Sequence, residues 1–243
     1  MKNLFLITLF SICFLYSQKP ISLIVKKRGV VKIKNSTEGS KFSRVNINTP
    51  LLDGSIIKTN KKSFVKIKYM DAKSLIMSFP KTQFSIEADL MEKIYNKKIV
   101  LLDGILKIDV NSNNDNFKLI TSFSELSCHN CSFWIISDKK GDSFYNIKGN
   151  AVVTNLMNME ELSLVADSTL ISFNSIGLKN TITSIEEKTY LESLLINFDE
   201  ISKEDGMYLG DEVKNNILEI RLKNSKNIKR KFFLNYSEQK SEK

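Results

Sequence analysis

The residues with chemistry to offer are few. One histidine, His129, stands among 243 residues, inside Cys128-His129-Asn130-Cys131, and the third cysteine is Cys13. A Ser-His-Asp relay therefore has one imidazole to draw on, and a tetrahedral zinc site would need a carboxylate or water beside His129 and the two thiolates. A dithiol redox centre normally places its second cysteine on a helix entered from a strand; here Ser132-Phe133-Trp134-Ile135-Ile136 reads as β. The remaining readings of Cys128 and Cys131 are an intraturn disulfide or two inert thiols. The sequence has no Gly-rich phosphate loop ending in Lys-Ser/Thr, no Gly-x-Ser-x-Gly nucleophile turn and no calcium loop of the usual spacing. The paired carboxylates Asp138/Asp142 and Glu186/Glu187 fall in an expected turn and in the first turn of an expected helix, where acidic side chains answer the helix dipole. Phe133, Trp134 and Tyr145 read as core rather than as a sugar-stacking platform. No residue is assigned as catalytic, cofactor-binding or metal-ligating. The expectation is a protein that is not an enzyme and carries no cofactor.

The elements that must position these residues are mostly strands. From Ile21 to about Ile176, short apolar alternations are broken by turn residues, as in Val65/Ile67/Tyr69, Leu75/Met77 and Phe84/Ile86. A near-repeat recurs about 50 residues apart: Leu51-Leu52-Asp53-Gly54-Ser55-Ile56-Ile57 returns as Leu101-Leu102-Asp103-Gly104-Ile105-Leu106-Lys107, and more loosely as Asn146 to Val153 around Gly149. Glycines between apolar runs predict tight corners. At Ser184 the period changes. Ser184-Ile185-Glu186-Glu187 is a capping box, and Leu191, Leu194, Leu195, Phe198 and Ile201 follow at helical spacing, which predicts a helix over about 185–203. Two further runs, Leu218/Ile220/Leu222 and Ile228 to Tyr236, joined through Asn224 to Asn227, predict a hairpin, followed by a polar tail. The fold class expected is mainly β: a twisted β-solenoid-like or sandwich-like stack of short strands, then one amphipathic helix and a C-terminal β-hairpin.

The N-terminus reads as a secretory signal. Lys2 precedes a largely apolar run from Leu4 to Tyr16, then Ser17 and the polar Gln18-Lys19-Pro20. The expected division is residues 1–17 as signal peptide, 18–183 as the β domain and 184–243 as a helix-plus-hairpin extension. The protein is expected to be exported, periplasmic or extracellular, with no integral membrane span after signal cleavage.

Charge is uneven. The formal net charge is +9, with residues 19–49 at +7, residues 221–243 at +6 and residues 149–220 at −9. The two basic ends offer a candidate binding surface of Lys26, Lys27, Arg28, Lys229, Arg230 and Lys231, suited to an anionic envelope polymer. The alternative is a compositional bias toward lysine that produces solvated strand faces, since Lys outnumbers Arg by 32 to 4. Nucleic acid is not expected, because export removes it and arginine is scarce.

The ordered series of corners and strands resembles the FecR family of extracytoplasmic domains. The resemblance runs through Gly29-Val30-Val31, Leu51, Gly54, Ile57, Thr59, Ser63, Val65 to Tyr69, Asp71, Leu75, Met77, Pro80 and Phe84. It continues in Val100 to Leu106, Phe117 to Thr121 and Gly149-Asn150-Ala151-Val152. It spans about residues 27–175. Ser55, Ala72, Asn130-Cys131 and Asp167 depart from the family's usual glycines, aspartate and Gly-Thr pair, and these departures bear on turn geometry more than on fold. The family's regulatory members join such a sensor to a cytoplasmic anti-sigma segment; this chain is similar instead to the stand-alone exported members. What the resemblance implies is a non-enzymatic binding or interaction domain of the cell envelope, contacting a protein or an envelope polymer, with signal sensing as one use. The alternative is a structural subunit of a surface assembly, associating through its C-terminal hairpin.

Overall fold

The computed structural model describes residues 19–35, 41–91, 94–173, 177–204, 216–223 and 229–236. Period-two alternation is realised as β1 (Ser22–Arg28), β2 (Val31–Lys34), β3 (Ser43–Arg44), β4 (Pro50–Leu51), β5 (Ser55–Thr59), β6 (Phe64–Tyr69), β7 (Ser74–Ser78) and β8 (Gln83–Met91). Then come β9 (Ile94–Asn111), β10 (Asn116–Ile120), β11 (Ser124–Asp138), β12 (Gly141–Asn155), β13 (Glu161–Leu164), β14 (Ser168–Phe173) and β15 (Gly177–Ile182). One helix, α1 (Ile185–Glu204), follows, and then β16 (Asn216–Lys223) and β17 (Lys229–Tyr236). The chain is mainly β, with its helix after the strands, as expected. The predicted signal peptide, residues 1–17, and the polar tail from Ser237 lie outside the described residues.

Strands β1 to β15 form one sheet that is not closed, running β15-β14-β12-β11-β10-β9-β7-β6-β1-β4, with the remaining strands attached off that path. Three strands are long: β9 has 18 residues, β11 and β12 have 15 each. They change partners along their length. Residues Ile94 to Asp103 of β9 pair with β8, while Leu106 to Val110 pair with β7 and Gly104 to Asn111 with β11. Gly104 sits at that switch with φ 116°, and a Cβ there would lie 2.3 Å from Thr82 Oγ1. On β12, Gly141 to Tyr145 pair with β14 and Ala151 to Thr154 with β13. Gly149, at φ 79°, lies between them and presses against the Asn130 carbonyl. The near-repeat glycines thus mark corners, but two of the three are bends inside long strands rather than turns between short ones.

One core collects side chains from nearly every strand: Ile24, Ile57, Ile67, Ile76, Phe84, Ile99, Phe133, Phe144 and Leu170 are fully buried. Each such burial is worth about 1.5–3 kcal/mol. On β6 the predicted set Val65, Ile67 and Tyr69 faces this core. On β7 the faces are reversed: Ser74, Ile76 and Ser78 point inward, while Leu75 and Met77 are half-buried. The reason is a second cluster on the outer face. Phe64, Phe79, Trp134 and Tyr145 pack there with Leu191 of α1, and Met77, Leu194 and Leu195 join them. The Phe79 and Trp134 rings lie 5.0 Å apart, and Phe64 meets Phe79 edge-on at 5.6 Å.

The capping box closes α1 as read from sequence. The Glu187 N–H donates to Ser184 Oγ at 3.2 Å and the Ser184 N–H to Glu187 Oε2 at 2.9 Å. The chain parts into two compact units after Asp205, not at Ser184. The helix was expected with the C-terminal extension, but its Leu191 side buries against the outer aromatic cluster and places it with the β body. In the second unit, β16 and β17 pair antiparallel from Asn216↔Tyr236 to Lys223↔Lys229, the expected hairpin.

A buried ion cluster lies where β9 runs parallel to β10. The Lys97 side chain is fully buried. Its Nζ donates to Asp71, to Ser74 Oγ at 3.0 Å and to Asp115 Oδ2 at 3.4 Å, and sits 5.5 Å from the Tyr69 ring centre. Asp115 is itself buried and is shared with Lys73. Burial first, then the carboxylates of Asp71, Asp53 and Glu87, hold the Tyr69 phenol protonated far above its usual range. Lys97→Met would leave two carboxylates facing no buried cation, and it should cost about 3–5 kcal/mol in urea unfolding. Adding Asp71→Asn and Asp115→Asn should recover most of that loss.

Ala72 and Asp167 both stand at φ 60°. The left-handed conformation is therefore kept without glycine, at a cost of about 1–2 kcal/mol per residue. Ala72→Gly should raise stability by about 0.5–1 kcal/mol, read as a higher thermal midpoint.

Candidate functional site

Cys128 and Cys131 are joined by a disulfide. It spans a bulge in the β11–β12 ladder, where Cys128 faces Ala151 and Cys131 faces Gly149, so two residues oppose one. His129 and Asn130 are pushed outward and exposed. The His129 Nδ1 lies 3.0 Å from the Asp115 carbonyl oxygen, which can only accept, so Nδ1 carries the proton. Among the described residues no three His, Cys, Asp or Glu side chains are grouped to hold a metal.

The predicted basic residues fall on both units. Lys26, Lys27 and Arg28 lie on β1 after a register shift at Ile24, opposite Lys66, Val65 and Phe64, and all three are half-buried. They do not make one exposed face. Lys229, Arg230 and Lys231 lie on β17 of the second unit, paired with Lys223, Leu222 and Arg221.

The stronger basic feature lies just beyond Arg28. A surface cleft of about 840 Å³ is lined by Gly29, Lys58, Lys61, Lys62, Lys81 and Asp103, among others. Two turns frame it, residues 60–63 between β5 and β6 and residues 79–82 between β7 and β8. They are tied together from below. The Thr59 N–H donates to the Thr82 carbonyl at 2.9 Å, the Thr82 N–H to Thr59 Oγ1 at 2.9 Å, and Thr59 Oγ1 to the Phe79 carbonyl at 2.6 Å. The Lys81 N–H donates to the Asn60 carbonyl at 3.3 Å, and the Ile105 N–H to Thr82 Oγ1 at 2.9 Å. Gly29, at φ 66°, presses against Ser63, whose Oγ accepts from the Val30 N–H at 3.0 Å. With the polar backbone satisfied underneath, the four lysine side chains are exposed. No sequence motif announced this site, because its lysines come from the end of β5 and from two separate turns in a lysine-rich chain.

No family model and no curated protein matches the sequence. Among solved structures, two of a candidate anti-sigma factor from Parabacteroides distasonis are similar to this chain. Both have a TM-score of 0.47 and cover 61% of this chain and 74% of theirs, at 13% and 12% identity. The chain is distantly similar in fold to that protein, and the likeness carries nothing further.

A second polar constellation closes the tip of β11 and β12. Asp142 is buried, accepts from Thr121 Oγ1, and its Oδ1 has no partner among the described residues. Burial raises the carboxyl above its ordinary range, against the nearby hydroxyls of Ser137, Thr121 and Ser124 that pull it down, with Asp138 adding to the rise. A carboxyl whose folded value is raised binds its proton more tightly in the native state, so its contribution is present at low pH and is lost as pH rises through that value. Asp142→Asn should therefore stabilise the fold at pH 7. The gain should shrink as pH falls through the ordinary carboxylate range in paired thermal melts.

Proposed function

We propose that this protein is a non-enzymatic, exported FecR-like binding domain of the cell envelope, periplasmic or extracellular. It contacts an envelope protein or an anionic envelope polymer, and signal sensing is the use its resemblance suggests. The observation that carries the reading is the contrast between interior and cleft. The interior Lys97, Asp71 and Asp115 neutralise one another, and Glu187 serves the helix cap. The lysines of the corner cleft have no such partner among the described residues. Charges consumed by structure support the body; charges held out on a fixed frame suit recognition. The apolar leader from Leu4 to Tyr16 and a disulfide at Cys128–Cys131 both agree with export.

A second reading rests on the hairpin. The sheet of β16 and β17 has two strands only, so each leaves one edge without a partner among the described residues, the geometry of β-augmentation. Deleting residues 217–243 separates the two readings. The binding-domain reading expects an unchanged circular-dichroism spectrum of the β body and unchanged capture of envelope components by in-cell crosslinking. Loss of an oligomer with the body still folded would favour the structural subunit. Crosslinking that returns only cytoplasmic proteins would overturn both.

A further inference from the structure

The binding reading leaves the ligand open, and the corner cleft narrows it. We infer that the cleft around Lys58, Lys61, Lys62 and Lys81 is a binding site for a flexible polymer carrying repeated phosphate groups. The inference rests on the binding-domain reading and names its ligand class.

Pairing comes first. Some exposed lysines elsewhere on the β body find carboxylates: Lys98 with Glu87 at 2.5 Å, Lys118 with Glu125 at 2.6 Å and Lys188 with Asp167 at 2.8 Å. Lys68, Lys139, Lys140, Lys148 and Lys179 are exposed and make no ion pair among the described residues. Among the described residues the four cleft lysines make no ion pair, although Asp103 lies on the same wall. What sets the cleft apart is that four unpaired lysines, from the end of β5 and two adjoining turns, line one concavity.

Conformation points the same way. Lys62 and Lys81 stand at φ 55° and 61°. Glycine or asparagine takes that conformation at less cost, so folding alone favours neither lysine there. Two adjoining turns nonetheless hold long cationic side chains at their left-handed positions, on a frame fixed by Thr59, Thr82, Gly29 and Gly104.

The sheet then extends the site into a track. Arg44 of β3 lies directly opposite Lys32 of β2, and Lys32 directly opposite Lys58 of β5. Residues in register share a face, and neighbouring strands stand about 4.8 Å apart, so three cations form a row leading into the cleft. Like charges set side by side destabilise a sheet unless something neutralises them. A row plus a cleft matches a strand of repeated anions better than one isolated ion. A concave site also suits a strand better than a flat membrane. The cations are almost all lysine, point charges that bind phosphate without a planar fork, and the comparison with polyglutamate decides between phosphate and carboxylate.

The test uses the full chain and a fluorescent inorganic polyphosphate, read by anisotropy at two salt concentrations. Lys58→Gln with Lys81→Gln should weaken binding by on the order of tenfold and flatten the salt dependence. Lys139→Gln with Lys140→Gln, the same charge loss at the β11–β12 tip, should change it by less than about twofold. Circular dichroism checks that each variant keeps its β spectrum. Equal losses in both double variants would overturn the site. Polyglutamate of equal length binding as tightly would overturn the phosphate assignment. Binding only to phosphatidylglycerol vesicles would overturn the polymer in favour of a membrane. Failure of every probe would overturn this inference alone, since crosslinking to an envelope protein would still support the binding-domain reading.

Discussion

The contact between Gly104 and Thr82 is the constraint from which the β body follows. Strand β9 reaches Gly104 paired with β8 and leaves it paired with β7 and β11, so the bend at this residue lets one strand serve two sets of partners. There is no room for a side chain at that point, because Thr82 fills it and its Oγ1 accepts the next N–H, that of Ile105. The same threonine ties the turn at 79–82 to Thr59 and so to the turn at 60–63. The cleft inherits its shape from a packing requirement of the core, which makes it a fixed feature rather than a pair of loose loops.

Two other interactions complete the body. The Lys97 cluster fills the polar end of the core beneath the parallel pairing of β9 and β10. A buried pair of this kind adds little net stability over an apolar filling, but it is intolerant of losing one partner. On the outer face, α1 covers Trp134, Tyr145 and their aromatic neighbours, which explains why β7 and β11 bury side chains on both faces. Tyr145 also connects to the helix cap. Burial alone raises the Glu187 carboxyl, yet hydrogen bonds from Ser184 and Tyr145 outweigh it and hold it below the usual range.

Local signals were legible in the sequence where the physics is local. The capping box at Ser184 and Glu187 marked the helix start, and alternation marked β6, β8 and the final hairpin. The near-repeat found all three corner glycines, at φ 73°, 116° and 79°. What it missed depends on distant neighbours. The faces of β7 are reversed by an outer cluster that brings Trp134, Tyr145 and the helix beside Phe64 and Phe79, and Lys97 looks like any solvated strand lysine until Asp71 and Asp115 are brought beside it. The candidate site was legible only in outline. Lys26, Lys27 and Arg28 precede the cleft along the chain, while its lysines come from the end of β5 and two turns that the fold joins.

Backbone amide exchange at Thr59, Thr82 and Ile105 tests this account most directly, since these three N–H groups hold the corner. The account predicts protection equal to that of the central amides of β11 and β12, with the neighbouring Lys61 and Lys62 amides exchanging fast. Fast exchange at Thr82 and Ile105 while β11 stays protected would show that the corner opens independently of the core, and the preformed cleft would not stand.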